Sequence, residues 1–325
     1  MISEDIAVVV IGRNEGSRLI ACLNSLQSNT RSTVYVDSGS TDGSVQAAER
    51  LGVHVACLDM ALPFTAARAR NEGFSIVKKL RPNVRLVQFI DGDCELDRDW
   101  LNTAAEFIKP RNDIAVVCGR RRERHPSASV YNRLCDLEWD TPIGEAIACG
   151  GDILVRAEAF DAAGGFRPQL IAGEEPELCV RLRELGWKIW RLDAEMTRHD
   201  ASMLWFGQWW VRTVRGGYGM TEVSLLHWQS PMAIWKRDLA RAIFWGGLLP
   251  ALIVLSALAY PAALAAALIY PLQVCRIAII RGPTSSDSWI YALFVTLGKF
   301  AAFQGVLKFY WRRLRRRSVE LIEYK

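Results

Sequence analysis

The chain has 325 residues, half of them hydrophobic, and a formal net charge of +5. That length exceeds a usual single domain and implies one large domain with an appendage. The charge excess is small and gathers near the end of the chain, which argues against nucleic acid as a partner and for phosphates or anionic lipid heads.

Apolar runs alternate with polar stretches up to about Leu226, as in an α/β protein, and the chain becomes strongly apolar from Ala240 to Trp311. No basic stretch followed by an apolar run opens the chain at Met1, so no signal peptide is expected and the first domain should stay in the cytoplasm. Eight cysteines are scattered without a CxxC or other metal-ligand spacing. In a reducing compartment they read as buried small hydrophobes and not as a disulfide framework.

In chain order, residues 6–11 form a β-branched strand, and Leu19, Leu23 and Leu26 then recur at helical spacing. A second strand over 33–36 ends at Asp37. Ser38 to Gly43 carry turn and capping chemistry, and a helix over 45–51 stops at Gly52. A strand over 53–57, a helix over 66–80 and an apolar strand over 84–90 follow, the last ending at Asp91. Residues 114–118 give one more strand. The run Arg120-Arg121-Arg122-Glu123-Arg124 reads as a solvated loop in a basic stretch that reaches Trp139. Residues 177–187 form an amphipathic helix with a glycine stop, and 188–192 another strand. Strands alternating with helices at this spacing predict βαβ units, a mostly parallel sheet, and ligands at the carboxyl ends of its strands.

Two apolar segments, 242–259 and 262–280, are each close to the roughly 20 residues that span a bilayer. Pro261 breaks them into a hairpin. A third, 289–311, is interrupted by Lys299, Gln304 and Lys308. The cluster Arg312-Arg313-Leu314-Arg315-Arg316-Arg317 favours the cytoplasmic side, so the expectation is two spans plus an interfacial helix. The predicted division is a catalytic domain over 1–226 and membrane helices over 227–325.

The apolar strand closes on Asp91-Gly92-Asp93. Residues two apart on a strand share a face, so the two carboxylates are expected to converge, and Gly92 lets a large charged ligand approach the backbone. Hard oxygen ligands of this kind suit Mg2+ or Mn2+ on a phosphate-bearing substrate. Strand one ends in Ile11-Gly12-Arg13-Asn14-Glu15-Gly16, which has the wrong glycines for a phosphate-cradling loop. Glu15 would repel phosphate and suits base or sugar hydroxyls; Asp37 could accept from them in the same way, or could cap its own turn.

Taken in order, several motifs resemble the family 2 glycosyltransferases, whose fold is GT-A, an α/β Rossmann-like arrangement. They are Val8 to Glu15, Val36 to Gly43, Ala69-Arg70-Asn71-Glu72-Gly73, Asp91-Gly92-Asp93, Gly150-Gly151-Asp152, Gly164-Gly165-Phe166, and Gly173-Glu174-Glu175-Pro176 with Gly186-Trp187. The resemblance covers about the first two hundred residues. It implies a nucleotide-sugar site around Glu15, Asp37, Arg70, Asn71, Asp91 and Gly151, and a metal held by Asp93 and Asp91, with Asp93 the direct ligand. It also implies Glu175 as the catalytic base, with Glu174 beside it, although the family usually has an aspartate there. His199 would be a third metal ligand. Gln208 to Arg212 is similar to the QxxRW motif of processive synthases but one residue too long, and Arg212 and Arg215 would reach diphosphate or lie on the bilayer surface.

The function these features imply is an inverting, membrane-anchored glycosyltransferase using a nucleoside-diphosphate sugar, UDP preferred. Its acceptor would be a lipid-linked or glycolipid molecule at the cytoplasmic face of the inner membrane, in surface polysaccharide or glycolipid synthesis. A polymerising synthase would need more spans and an intact QxxRW motif; a membrane scaffold with an inactive domain would not need Asp91, Asp93 and Glu175. Apolar surface on the spans would also serve a homo-oligomer.

Overall fold

A strand apolar on both faces needs cover on both, and Ile6–Gly12 (β1) obtains it at the middle of a sheet. The computed structural model describes residues 5–26 and 33–315. Thr33–Asp37 (β2) pairs parallel to β1, His54–Cys57 (β3) lies outside β2, and Leu86–Asp91 (β4) runs parallel on the other side of β1. The chain thus winds outward from β1 in one direction and restarts on its opposite side, which makes the carboxyl ends of β1 and β4 a topological switch point.

Beyond β4 the sheet is mixed. Cys94–Leu96 (β5), Ile114–Glu123 (β6), Gly144–Ala146 (β7), Ile153–Arg156 (β8) and Lys188–His199 (β9) complete it, in the order β3-β2-β1-β4-β8-β6-β9-β5, with β7 on β9. The expected strand over 114–118 continues to Glu123, so the run Arg120 to Glu123 is sheet and not a solvated loop. The strand expected over 188–192 likewise continues to His199. Both are long because they pair with each other in parallel, which satisfies polar residues that hydropathy alone would assign to a loop.

Helices Ser17–Ser25 (α1), Ser44–Arg50 (α2), Ala66–Leu80 (α3), Trp100–Ile108 (α4), Val130–Glu138 (α5), Ala157–Ala163 (α6) and Glu174–Glu184 (α7) connect the strands. Among them α3 sets the site, because Gly73 brings it unusually close to the sheet. A Cβ on Gly73 would fall 2.3 Å from a methyl of Val9 and 3.1 Å from one of Val36.

The described residues up to His125, together with Glu138–Ser202, make one compact unit; Pro126–Leu137 and the described residues from Met203 onward make another. Phe206–Leu226 (α8) therefore packs in the second unit, and the division falls near Ser202, earlier than the expected 226. The reason is close helix contact inside that unit: a Cβ on Gly217 would lie 2.3 Å from the carbonyl oxygen of Ala302, and one on Gly305 2.2 Å from that of Val214. Three helices there, Lys236–Ala259, Pro261–Arg281 and Ser286–Leu314, are long and apolar enough to cross a membrane. They cover the three apolar segments, and of the basic cluster Arg316 and Arg317 lie outside the described residues.

Overpacking a core typically costs about 1–3 kcal/mol, against the roughly 1 kcal/mol by which alanine favours a helix over glycine. Gly73→Ala is therefore expected to lower the thermal unfolding midpoint of the full-length protein. An unchanged or raised midpoint would mean that α3 does not depend on this close approach.

Candidate active site

The carboxyl ends of β2, β1 and β4 bring three sequence motifs into one row. The parallel registers place Gly12 beside Asp37 and Ile11 beside Asp91, and the Gly92 amide donates to the Ile11 carbonyl at 2.8 Å. Glu15 lies across this row, its Cγ 3.2 Å from where a Cβ on Gly12 would stand and 3.4 Å from one on Gly92. Its carboxylate meets Arg18 at 2.7 Å. Asp37 is buried and spends both oxygens locally: one accepts from the Tyr35 hydroxyl at 2.8 Å, the other from the amides of Gly39 and Ser40 at 2.9 and 2.8 Å. Asp37 thus shapes the turn after β2, and Asn14 ties that turn to the one after β1 by accepting from the Thr41 amide.

The central feature is Arg70. One turn before Gly73 on α3, it is 2% exposed and pairs with three carboxylates: Asp91 at 2.7 Å, Glu174 at 2.8 Å and Glu175 at 2.7 Å. Its guanidinium also lies over the ring of Phe166, 5.6 Å from the centroid. α7 begins at Glu174, immediately after Gly173 in a left-handed turn with φ of 81°, so both glutamates sit in its first turn. The expected start near Glu177 was too late. Glu177 is instead wholly buried and anchors the helix through Arg167 and Arg181, each at 2.6 Å.

One guanidinium among three carboxylates leaves negative charge uncompensated. Burial pushes Glu175 up to about 7, with Glu174 adding to the rise, Arg70 opposing it and Asp91 adding again. A carboxyl group balanced near neutrality is what a general base requires. Gly151 opens this cluster. A Cβ there would stand 2.9 Å from Arg70, 3.0 Å from Asp91 and 3.1 Å from Glu175.

Asp91 and Asp93 do not converge on one point. β4 ends at Asp91, and Gly92 and Asp93 form a turn into β5, so the alternation of a strand does not hold between them. Asp91 faces Arg70, while Asp93 faces His199, whose Nε2 lies 3.4 Å from its Oδ2. His199 arrives there because β9 pairs antiparallel with β5, with Cys94 opposite His199. A carboxylate oxygen and an imidazole nitrogen, both buried, fit a divalent ion of the Mn2+ or Mg2+ kind. The neighbouring Cys94 is held protonated, chiefly by burial, and so is a poor third ligand.

Asn71 is not open to a ligand. Its amide donates to the Phe166 carbonyl at 2.7 Å and accepts from the Phe166 amide at 2.9 Å, holding the turn at Gly164-Gly165 in place. Arg212 and Arg215 lie on α8, in the second unit.

Two residues to which the sequence assigned no role complete the site, one of them from the Gly150-Gly151-Asp152 motif. Asp152, at the start of β8, accepts from the Asp91 amide at 3.2 Å, from Arg121 at 2.7 Å and from the Thr197 hydroxyl at 2.6 Å. Burial alone would raise its pKa, but Arg121 and Thr197 hold it below the usual range, so it braces the site as a fixed anion. Arg121 comes from the run expected to be solvated, reaches to 3.8 Å from Asp91, and stacks over Trp139, whose ring also meets His199 edge-on at 4.8 Å. Antiparallel pairing of β8 with β4 creates this contact between segments sixty residues apart, a distance over which no local pattern carries a signal.

Removing one partner of a buried charge network typically costs about 3–5 kcal/mol. Arg70→Met should cost stability on that scale, with a deficit that depends on pH. Arg70 opposes the rise of the buried Glu175, so without it Glu175 is raised further in the folded state, and the stability lost on ionising it grows as pH rises from about 4 through neutrality. Unfolding followed at pH 5 and pH 8 should show the larger loss at pH 8. An equal loss at both would mean that Arg70 serves packing alone.

Residues 7–162 match the family model described as Glycosyl transferase family 2. The glycosyltransferase AglE of Haloferax volcanii is 23% identical over 234 residues, which cover 68% of this chain and 74% of that protein. The pre-mycofactocin glycosyltransferase of Mycobacterium tuberculosis is 26% identical over 60% of this chain and 43% of its own length. Among solved structures, the mannosyltransferase PcManGT of Pyrobaculum calidifontis, in complex with GDP-Man and Mn2+, superposes with a TM-score of 0.66 at 16% identity, over 95% of this chain and 88% of that one. Residues 1–349 of S. aureus TarS, in complex with UDP-GlcNAc, superpose with a TM-score of 0.52 at 14% identity, over 95% and 92%. The two structures share the fold, and the sheet, the motifs at its strand ends and the family match together make residues 7–162 a family 2 glycosyltransferase domain in a chain of GT-A fold.

Proposed function

We propose that this enzyme moves a sugar from a nucleoside-diphosphate sugar to a lipid-linked acceptor with inversion, while anchored to the cytoplasmic face of the inner membrane. The observation that carries the reading is Glu175, a buried carboxyl balanced near pH 7 beside Asp91 and the opening at Gly151. Glu15 and Asp37, at the ends of β1 and β2, line the place for the nucleoside, and Asp91 with Arg70 the place for the sugar.

A divalent ion at Asp93 and His199 would supply positive charge against the departing diphosphate. Glu175 takes the proton of the acceptor hydroxyl as that oxygen attacks the anomeric carbon, and Glu174 keeps Glu175 basic enough to do so. Because Arg70 already binds Asp91, Glu174 and Glu175, it fixes their spacing before substrate enters and so acts as a positioning residue. UDP is the nucleotide we favour; the neighbours support it and GDP alike, since one is a UDP-GlcNAc complex and another a GDP-Man complex.

The membrane reading rests on the three apolar helices. The first two, with mean hydropathy of 2.1 and 1.9, are the proposed spans. The third reaches only 1.5 and packs by its glycines on α8, with Gln304 accepting from Trp210 at 2.8 Å, which supports an interfacial placement. Arg312, Arg313 and Arg315 then stay on the cytoplasmic side.

Transfer measured with the full-length protein in detergent, a panel of nucleotide sugars and a lipid extract tests this reading. Glu175→Gln should lower kcat by about 10²–10⁴-fold, the usual contribution of a general base. Wild-type kcat/KM should rise with pH through about 7, where Glu175 loses its proton. Glu174→Gln removes a repelling charge, lowers the Glu175 pKa and moves that rise to lower pH. Full activity in Glu175→Gln, or a rise that stays in place in Glu174→Gln, would exclude Glu175 as the base.

A further inference from the structure

Within the second unit, the three long apolar helices line a half-open pocket of about 300 Å3 whose walls include three cations, Arg241, Arg276 and Lys299, together with Trp245, Gln273 and Thr296. Among the described residues no carboxylate lines it, although Asp238 pairs with Arg241 at 3.4 Å. The lining residues follow helical spacing: Arg241 and Trp245 are four apart on the first long helix, Gln273 and Arg276 three apart on the second, Thr296 and Lys299 three apart on the third. Each helix therefore turns one polar face to the same space.

The walls are held by close contacts. A Cβ on Gly246 would lie 2.2 Å from the carbonyl oxygen of Lys299, so the first and third helices meet backbone to backbone. Between Phe244 and Leu248 the first helix winds as a π-helix, and the Trp245 carbonyl accepts from the Tyr270 hydroxyl of the second helix at 2.7 Å. Such π segments recur at functional sites, where they redirect side chains.

Charged side chains within apolar helices are costly and mark a binding or transport function by default. Asp238, through its pairing with Arg241, offsets part of this charge, but Arg276 and Lys299 facing the same space still repel one another unless an anion lies between them. Guanidinium forks beside an ammonium suit a phosphate, which offers several acceptor oxygens. Depth favours a lipid as its source. Arg241 stands five residues after Lys236, where the first helix begins, and Arg276 five before Arg281, where the second ends. At about 1.5 Å per residue both lie about 7–8 Å inside those ends, near the level where headgroups meet the hydrocarbon core.

We propose that this cavity binds the phosphate headgroup of an anionic membrane lipid. The proposal rests on the membrane reading of these helices given above. Recovery of the full chain in the soluble fraction without detergent would remove that reading itself, whereas the test below is made on protein taken from bilayers.

Native mass spectrometry of the full-length protein, extracted from bilayers of phosphatidylcholine and phosphatidylglycerol, counts the lipids retained. Wild type should retain phosphatidylglycerol in preference. Arg276→Gln combined with Lys299→Gln should weaken that retention about tenfold or more, at the usual contribution of a basic residue near an anionic lipid. Arg281→Gln, which removes a charge outside the cavity, should retain lipid as wild type does, and Arg276→Lys should keep binding by keeping the charge. Equal retention of both lipids by wild type would overturn the proposal, and that result stands even if the double variant does not fold. So would an equal loss in Arg281→Gln. In a separate arm, inorganic phosphate is added to lipid-free protein; if it raises thermal stability through Arg276 while phosphatidylglycerol is not retained, the cavity takes a soluble phosphate and the lipid proposal is overturned.

Discussion

A single buried guanidinium organises the active site. Arg70 is reached from α3, and the three carboxylates it gathers come from the end of β4 and the first turn of α7, segments more than eighty residues apart in sequence. Two constraints make this possible. Gly73 lets α3 approach β1 and β2 closely enough for Arg70 to reach, and Asn71 fixes the Phe166 turn over which the guanidinium stacks. Because three negative charges meet one positive charge out of water, one proton is held near neutrality, and Glu175 holds it. The buried network is thus a structural clamp that also leaves one carboxyl titratable near neutrality, the group proposed as the base.

The metal-compatible pair lies on the other side of the Gly92 turn. Asp93 and His199 are joined by the pairing of β5 with β9, while Asp91 stays with Arg70. One short motif, Asp91-Gly92-Asp93, therefore serves two neighbouring tasks because the chain turns within it. Asp152 and Arg121 link the halves: Asp152 binds the Asp91 amide, and Arg121 binds Asp152 and stacks with Trp139, which in turn packs on His199. Negative charge is fixed at Asp152 and left titratable at Glu175.

Much of this was legible from the residues. β1, β2, α2, α3 and β4 fall where apolar periodicity and the glycine stops place them, α3 with both ends as expected. The strand ends at Asp37 and Asp91 follow from the same pattern. What was hidden depends on long-range pairing. Arg121 reads as a solvated charge because nothing local reveals that β6 is covered by β8 and β9. His199 looked to lie beyond its strand because hydropathy falls after Leu192, although pairing with β6 and β5 carries the strand to His199 itself. The turn at Gly92 was masked by the apolar run before it, which made Asp91 and Asp93 look like two residues of one strand. Asn71 carried the right motif but spends its amide on Phe166, a bond that only the folded chain reveals.

The central claim is that the strand ends at Glu15, Asp37, Asp91 and Asp93 hold a nucleoside diphosphate through a divalent ion. Calorimetric titration of UDP and GDP into the detergent-solubilised full chain, with and without Mn2+, tests this most directly in wild type and Asp93→Asn. The account predicts that one nucleotide binds only with Mn2+ and that Asp93→Asn abolishes this binding while leaving the protein folded. Binding that is indifferent to Mn2+ and to Asp93, or no binding of either nucleotide, would contradict it.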